Sequence, residues 1–520
     1  MPEHSTPPPP SRGAAPSPRP RSGDIGDADR AEDARAQTAA LAAQQLQQML
    51  VQAAERARAA AALRAANGTR SLHLNPAPPP SALPYTPPAA GPPTEPAWQR
   101  SLAALARHEV RLANELDRAP VGGNRTQLLI DGAQAYAAMF AAIQSARDHI
   151  NIESYIIEAE GPGEALANLL CRKRAQGVRV NLIYDSWGSW QTSSRYFARL
   201  REAGVALCEF NPILPWRRWL RPLAAPPLAR SLAGSFNLRD HRKLTVIDGR
   251  IAFTGGVNIA SVYASGSAAG PIAPHAERKG QERSRSQDPN EAHWRDTHVR
   301  IDGPVVAQLQ QLFLDQWRMQ TGQAAQPAHY YPTLAPAGPE RIAVAARGAG
   351  ERRGRFYRAL LAAIDESRSR IYITVGYFVP TRRLLRALIA AAERGVDVRL
   401  VLPGFSDVPA AVHAARSQYG RLLAAGARIY EHCDALLHAK TTVIDGAWAS
   451  IGSHNMDWRS FVHNAECNIV VLNTAFARHL EQLFDTDIVA CREVTLPDWD
   501  RRGRLLRIKE WLALQVEYLL

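Results

Sequence analysis

The chain has 520 residues, of which 46% are hydrophobic, and carries a formal net charge of +13 at pH 7. This length is sufficient for two sizeable cores, and the positive charge favours an acidic partner such as anionic lipid, nucleic acid or a phosphate ester. The sequence has no uninterrupted apolar run long enough to cross a membrane, and its five cysteines show no CxxC spacing. These patterns disfavour a membrane span, a structural zinc site and a disulfide framework.

The N-terminal region over 1–97 is predicted to be disordered. Its two ends are rich in Pro, and the stretch between them is rich in Ala, Gln and Arg without a clear apolar stripe. Such a composition buries too little apolar surface to offset the entropy of ordering the chain. The first residues also lack a basic segment followed by an apolar core, so we expect no secretory signal and a cytoplasmic protein.

The remaining chain contains a long internal repeat, which predicts a first half over 98–330 and a second half over 331–495. One copy begins with "AAMFAAIQSARDHINIESYII" and the other with "RALLAAIDESRSRIYITVGYFV". In both copies an amphipathic helix leads into a strand rich in β-branched and aromatic residues, and further helices and strands alternate after it. This order predicts an α/β layered fold, followed by a basic amphipathic helix over 496–520.

The pattern HxKxxxxD occurs once in each half, within the motifs 241–258 and 438–455. Each copy is followed by Gly-Gly or Gly-Ser and then by Asn at the same spacing. Residues i and i+2 of a strand point to the same face, so the His and Lys of each copy should project together. Only five of the 62 Lys and Arg residues are Lys, which makes the two motif lysines notable. The motif residues are His241, Lys243, Asp248, His438, Lys440 and Asp445.

Two imidazoles and two ammonium groups in one cleft suit chemistry at a phosphodiester. One His would attack phosphorus, and the other would protonate the leaving alkoxide. The side chains of Asn258, Ser453 and Asn455 are candidates to bind the phosphate oxygens, although a role only in forming the turn is equally compatible with their positions. No metal-ligand set is evident in the sequence, and we expect no metal and no cofactor.

The duplicated motif with its trailing Gly and Asn resembles the phospholipase D superfamily. Residues 120–490 are similar to bacterial cardiolipin synthases of the short form, which lacks N-terminal transmembrane helices. The segments "IESYII" (152–157), "FNP" (210–212) and "WRDTHVRIDGPVV" (294–306) share this similarity. The resemblance implies two tandem α/β/α sandwich domains related by a pseudo-twofold axis, with the active site at their interface.

The resemblance also implies a reaction. A phosphatidyl group would pass from phosphatidylglycerol to a second phosphatidylglycerol through a phosphohistidine, with His241 as nucleophile and His438 as acid and then base. Asp296 and Glu466 would orient the histidine rings. Asp248 and Asp445 belong to the catalytic motif, although their position before Gly in a turn favours a structural role. A phospholipase D hydrolase and a nuclease are the alternatives, and the duplicated chain and its Trp/Leu surface disfavour nucleic acid as partner.

Two segments are candidates for contact with a membrane. The insertion over 215–223 contains Trp216 and Trp219 among arginines, which is typical of an interfacial anchor but also of a loop packed on the body. The C-terminal stretch places Leu505, Ile508 and Leu512 at helical spacing near basic residues, as in a surface-bound or a core-packed helix. We therefore expect a peripheral protein that binds anionic phospholipid at the cytoplasmic face of the bacterial cell membrane.

Overall fold

The computed structural model describes residues 97–116, 119–213, 238–264, 292–348 and 354–515. The N-terminal region up to residue 96 and the insertion with Trp216 and Trp219 lie outside the described residues, so the predictions made for them stay predictions. Among the residues that are described, no helix is both long enough and apolar enough to cross a membrane.

The first half of the described chain alternates helices and strands. The elements in chain order are α1 (Ala97–Leu116), β1 (Val121–Ile130), α2 (Asp131–Ser145), β2 (His149–Ser154), α3 (Pro162–Ala175), β3 (Arg179–Asp185), α4 (Ser194–Glu202), β4 (Ala206–Phe210), β5 (Leu244–Ile247), β6 (Ile251–Gly255), α5 (Ser261–Ala264), β7 (Trp294–Arg295), β8 (Thr297–Asp302) and α6 (Val306–Thr321).

The second half repeats this order and then adds a C-terminal extension. Its elements are β9 (Glu340–Arg347), α7 (Arg355–Asp365), β10 (Arg370–Val375), α8 (Arg382–Glu393), β11 (Asp397–Pro403), α9 (Pro409–Ala424), β12 (Arg428–His432), β13 (Leu436–Leu437), β14 (Lys440–Ile444), β15 (Trp448–Gly452), a π-helix (Arg459–His463), β16 (Glu466–Leu472), α10 (Thr474–Val489), β17 (Cys491–Val494), α11 (Leu496–Asp500) and α12 (Arg504–Gln515).

Fifteen strands form one continuous sheet, whose order is β17-β12-β11-β10-β14-β15-β16-β9-β1-β8-β6-β5-β2-β3-β4. From the seam between β9 and β1, the strand order of one half repeats in the other, as a pseudo-twofold relation requires. Strands β2, β5, β15 and β16 are buried along their whole length, because helices cover both faces of the sheet. The predicted α/β fold of two related halves is therefore confirmed.

Helix α1 crosses the predicted boundary between the halves. It lies at the start of the first half in sequence, but its Leu112 and Leu116 belong to the apolar core of the second half. Its buried His108 also places Nε2 3.4 Å from a carboxylate oxygen of Asp445. The second half is therefore completed by a helix that precedes the first half in the chain.

The two motif aspartates shape the hairpins that follow the His/Lys segments. Asp248 and Gly249 have φ values of 52° and 61°, and Asp445 and Gly446 have values of 54° and 61°. Positive φ at two successive residues is typical of the type I′ turns that match the twist of a hairpin. Asn and Asp tolerate this conformation better than other non-Gly residues, which explains why an acidic residue precedes each Gly.

Both carboxylates bind backbone N–H groups, and neither contacts the motif histidines His241 and His438. Asp248 accepts hydrogen bonds of 2.8–2.9 Å from the N–H groups of residues 147–149. Asp445 accepts equivalent bonds from residues 368–370. Each aspartate lies at the end of its strand opposite to the His. The prediction that Asp248 and Asp445 are catalytic is therefore corrected. Their role is structural, since each binds its hairpin to the start of the neighbouring strand.

The substitution Asp445→Asn tests this role. Burial raises the pKa of Asp445, but hydrogen bonds from His108 and from the backbone of Ser369 outweigh burial and hold it below the ordinary value. The stabilisation is thus present at neutral pH and is lost as pH falls through the folded pKa. We expect Asp445→Asn to lower the free energy of unfolding at pH 7 by about 1–3 kcal/mol in urea titrations. The control Asp365→Asn, on an exposed side chain, should change it by less than about 0.5 kcal/mol.

Candidate active site

Each His/Lys segment is held along a segment of the other half. The His241 N–H donates to the Ala465 carbonyl at 2.9 Å, and the Ala465 N–H donates to the Arg239 carbonyl at 2.8 Å. At the related position, β13 pairs with β7, and the His438 N–H donates to the Arg295 carbonyl at 2.8 Å. Because these bonds join backbones, they fix both histidines at the interface between the halves independently of side-chain packing.

The same crossing brings a carboxylate from the opposite half to each histidine. His241 Nδ1 lies 3.1 Å from both carboxylate oxygens of Glu466, and His438 Nδ1 lies 2.6 Å from Asp296 Oδ2. Both carboxylates are fully buried. A neutral imidazole that donates from Nδ1 keeps its lone pair on Nε2, so each pair defines which nitrogen is available to react.

Both histidines line a cavity of about 700 Å³ between the halves. This volume is within the range of small-molecule sites. The Tyr155 ring meets the His241 ring edge-on at 4.9 Å, and the Trp294 ring lies 5.2 Å from the His438 ring. The other polar residues that line it include Arg239, Asn258, Tyr263, Tyr377, Asn455, Asp457, Arg459 and Asn464.

The two motif lysines lie behind the histidines. Lys243 Nζ donates to the His241 carbonyl at 2.7 Å, and Lys440 Nζ donates to the His438 carbonyl. Both side chains are buried, and burial lowers the pKa of Lys243 to about 7 and that of Lys440 to about 8. Burial, followed by repulsion from Lys243 and Lys440, holds the pKa of His241 well below its ordinary value. The cavity thus disfavours positive charge on these side chains, and a bound phosphate anion would stabilise that charge.

The three predicted phosphate ligands occupy different environments. The Asn258 amide donates to the Tyr263 hydroxyl at 2.8 Å, and its oxygen accepts from the Ile156 N–H at 3.3 Å. Asn455 lines the cavity with a buried side-chain oxygen that has no hydrogen-bond partner. This amide oxygen can accept from a hydroxyl of the substrate, whereas contact with a phosphate oxygen would need the amide N–H groups of Asn455. Asn258 instead holds Tyr263, whose hydroxyl lies 3.3 Å from His438 Nδ1.

The structure does not support the predicted phosphate contact of Ser453. Its side chain is fully buried and does not line the cavity. Its hydroxyl donates to Glu466 Oε2 at 2.5 Å and accepts from the Cys467 N–H at 3.0 Å. Ser453 therefore positions the carboxylate that orients His241.

Sequence reasoning missed several residues that line the cavity. Tyr155 lies in the quoted segment "IESYII", so a search for aromatic residues beside the repeat could have identified it. Asp457 and Arg459 follow Asn455, where the first half has Ala260 and Val262, so comparison of the two copies gave no signal. Burial raises the pKa of Asp457 to about 7, which makes this wall of the cavity only weakly anionic.

The lysine pKa values predict how oxyanion binding depends on pH. With these pKa values, both lysines would be mostly cationic at pH 6 and mostly neutral at pH 9, while sulfate remains a dianion. Because the unbound protein must hold these protons for full attraction, sulfate affinity should fall about tenfold or more between pH 6 and pH 9. Calorimetric titration measures this affinity. Constant affinity up to about pH 10, where an ordinary Lys titrates, would contradict the lowered pKa values.

The substitution Ser453→Ala separates positioning of Glu466 from contact with phosphate. Loss of one hydrogen bond to a buried carboxylate should reduce kcat for a soluble phosphodiester by roughly tenfold. KM should be nearly unchanged, because no substrate contact is removed. Steady-state kinetics distinguish the two roles, since a raised KM with unaltered kcat would restore Ser453 as a phosphate ligand.

Comparison with known proteins identifies the family of the chain. A sequence family described as "Cardiolipin synthase, PLD-like domain" matches the chain twice, over residues 139–265 and 360–488. The cardiolipin synthase of Geobacillus kaustophilus is 33% identical over 413 residues, which cover 79% of this chain and 75% of that protein. Cardiolipin synthase A of Pseudomonas putida is 33% identical over 411 residues, which cover 79% and 77%.

A solved structure shares the fold. The phosphatidylserine synthase of Haemophilus influenzae superposes with a TM-score of 0.53 at 12% identity, covering 79% of this chain and all of that protein. At this identity the likeness concerns the fold alone. The sequence relatives support assignment to a family, because each alignment covers most of this chain and most of the relative. The chain therefore belongs to the cardiolipin synthase family of the phospholipase D superfamily and is a phosphatidyltransferase.

Proposed function

We propose that this protein is a cardiolipin synthase that transfers a phosphatidyl group from one phosphatidylglycerol to a hydroxyl of another. The observation that carries the proposal is the pair of histidines in one cavity, each with Nδ1 bound to a buried carboxylate of the opposite half. Two histidines with free Nε2 atoms provide one nucleophile and one proton carrier, which a two-step transfer at phosphorus requires. The names of the family's relatives agree with this substrate class.

In the first step, the Nε2 lone pair of His241 attacks phosphorus and the bond from phosphorus to the glycerol oxygen breaks. His438 gives its proton to the leaving oxygen, so free glycerol departs and a phosphatidyl group remains on His241. The low pKa of His241 favours the neutral form that a nucleophile needs. Burial and repulsion from Lys440 also lower the pKa of His438, and the nearby Asp296 limits this lowering.

In the second step, neutral His438 removes the proton from the hydroxyl of the acceptor lipid. The resulting oxygen attacks phosphorus, and the bond to His241 breaks, which restores both histidines. Lys243, Lys440 and the side chain of Asn455 favour the charge that develops on the phosphate oxygens. No step of this scheme draws on a metal or a cofactor, because side chains of the protein supply every charge and proton.

Water in place of the acceptor hydroxyl would turn the same two steps into hydrolysis. The two outcomes differ only in the molecule that enters after the first glycerol leaves. Labelled phosphatidylglycerol in vesicles therefore yields either cardiolipin or phosphatidic acid, and their ratio measures transfer against hydrolysis. We further propose that the protein is peripheral and acts at the cytoplasmic face of the membrane on anionic phospholipid.

The roles of the two histidines can be separated with a phosphodiester whose leaving group needs no protonation, such as a p-nitrophenyl ester. His438→Ala should still be phosphorylated, but it should release the intermediate slowly because the second step lacks its base. We expect a burst of one p-nitrophenol per protein and a covalent label on His241, measured by rapid quench and peptide mapping. His241→Ala should show no burst and no label.

With phosphatidylglycerol, both variants should lose turnover by at least about a thousandfold, and the double variant should be no worse, because nucleophile and acid act as a unit. The control His479→Ala, on an exposed residue of α10, should keep full activity. A burst with a label on His438 in the His241→Ala protein would reverse the assignment of the nucleophile.

A further inference from the structure

Helix α12 has one face packed on the protein and, within the part of the chain that the structure describes, one exposed face. Ala513 and Glu510 are buried on the inner side, against α9. The outer side is apolar and exposed although it belongs to a well-formed helix. Its large side chains are Leu505 (78% exposed), Ile508 (52%), Trp511 (57%) and Leu512 (54%).

The exposed charge of α12 is positive. Glu510, the one acidic residue in the sequence of this helix, is buried and bound by Arg502 at 2.6 and 2.7 Å. Arg507 and Lys509 are exposed beside the apolar side chains. An apolar helix face flanked by Arg and Lys is complementary to an anionic lipid surface, in which apolar groups enter below the headgroups and cations contact phosphate.

Helix α12 packs against residues that form part of the wall of the catalytic cavity. Its Ala513 packs in one apolar cluster with Val379 and Ala411, and both of these residues also line the cavity. Three exposed apolar residues line the same cavity from the two halves. They are Trp187 (51% exposed), Trp190 (64%) and Val408 (37%). Exposed Trp at this position suits the boundary between headgroups and acyl chains.

We propose that these residues form one docking surface for an anionic bilayer, which sets the mouth of the cavity against the lipid from which substrate enters. We define this rim surface as Trp187, Trp190 and Val408 at the cavity mouth with Leu505, Ile508, Trp511 and Leu512 on α12. The inference rests on the proposed function, since it assumes that the cavity takes its substrate from a membrane. It adds the residues that contact the membrane and the orientation of the protein on it.

The test uses the full chain with substitutions in α12. This helix does not line the cavity, so the substitutions leave the catalytic residues unchanged. The variant Trp511→Ala/Leu512→Ala removes two exposed side chains, and its matched control Leu102→Ala/Val110→Ala removes two from α1, which packs on α7. Cosedimentation with vesicles of phosphatidylcholine and phosphatidylglycerol measures partitioning. We expect the α12 variant to bind about tenfold or more weakly, because the buried apolar area is lost, and the control to bind as wild type.

A second pair of measurements separates binding from catalysis. The α12 variant should lose turnover on vesicles in proportion to binding, yet retain wild-type turnover on short-chain phosphatidylglycerol below its critical micelle concentration. Arg507→Gln/Lys509→Gln should weaken binding to anionic vesicles and leave the weak binding to pure phosphatidylcholine unchanged. Added salt should abolish the difference between the two vesicle types.

Three results would overturn the rim surface. They are normal vesicle binding by the α12 variant, an equal loss of turnover on the monomeric lipid, and a lipid-free dimer of the wild type that the variant abolishes. The last result would assign the α12 face to a second copy of the chain. Failure of the proposed function has a different signature, since wild type would then bind vesicles through α12 without transferring phosphatidyl groups on either substrate.

Discussion

The exchange of carboxylates between the two halves is the constraint on which the site depends. Glu466 lies 3.1 Å from His241 Nδ1, and Asp296 lies 2.6 Å from His438 Nδ1, so neither half contains a complete pair. Both carboxylates are fully buried, and an unpaired buried charge costs several kcal/mol. The halves must therefore associate for either pair to form. The backbone bonds between Arg239, His241 and Ala465 show that this association is part of the fold and not an adjustment of side chains.

This arrangement also explains the charge balance of the cavity. Two lysines and two histidines are buried together, and burial lowers the pKa of every one of them. Burial also raises the pKa of Glu466, because this carboxylate is far from water. A phosphodiester adds one negative charge to a site that is short of it, so binding and protonation of the cationic groups reinforce each other.

The internal repeat made the fold predictable, because two copies of the same alternation of helices and strands specify two similar sheets. The histidines and lysines were predictable for the same reason. The pairing of Asp296 with His438 was not, since Asp296 is closer in sequence to His241 and only the crossing of β7 and β13 brings it to the other half. The packing of α1 against the second half could not be predicted either, because the pattern of an amphipathic helix does not indicate which core its apolar face packs against.

The two halves differ where their carboxylates differ in length. A Cβ atom added to Gly256 would lie 2.0 Å from Asp296 Oδ1, so the short Asp occupies the space that a side chain would need. The related residue of the second half is Ser453, and there the longer Glu466 accepts a hydrogen bond from its hydroxyl. Gly256 beside Asp296 and Ser453 beside Glu466 are thus two ways of packing a buried carboxylate against this turn. The difference between Gly256 and Ser453 in sequence reflects the support of each carboxylate, and the phosphate itself need not contact either position.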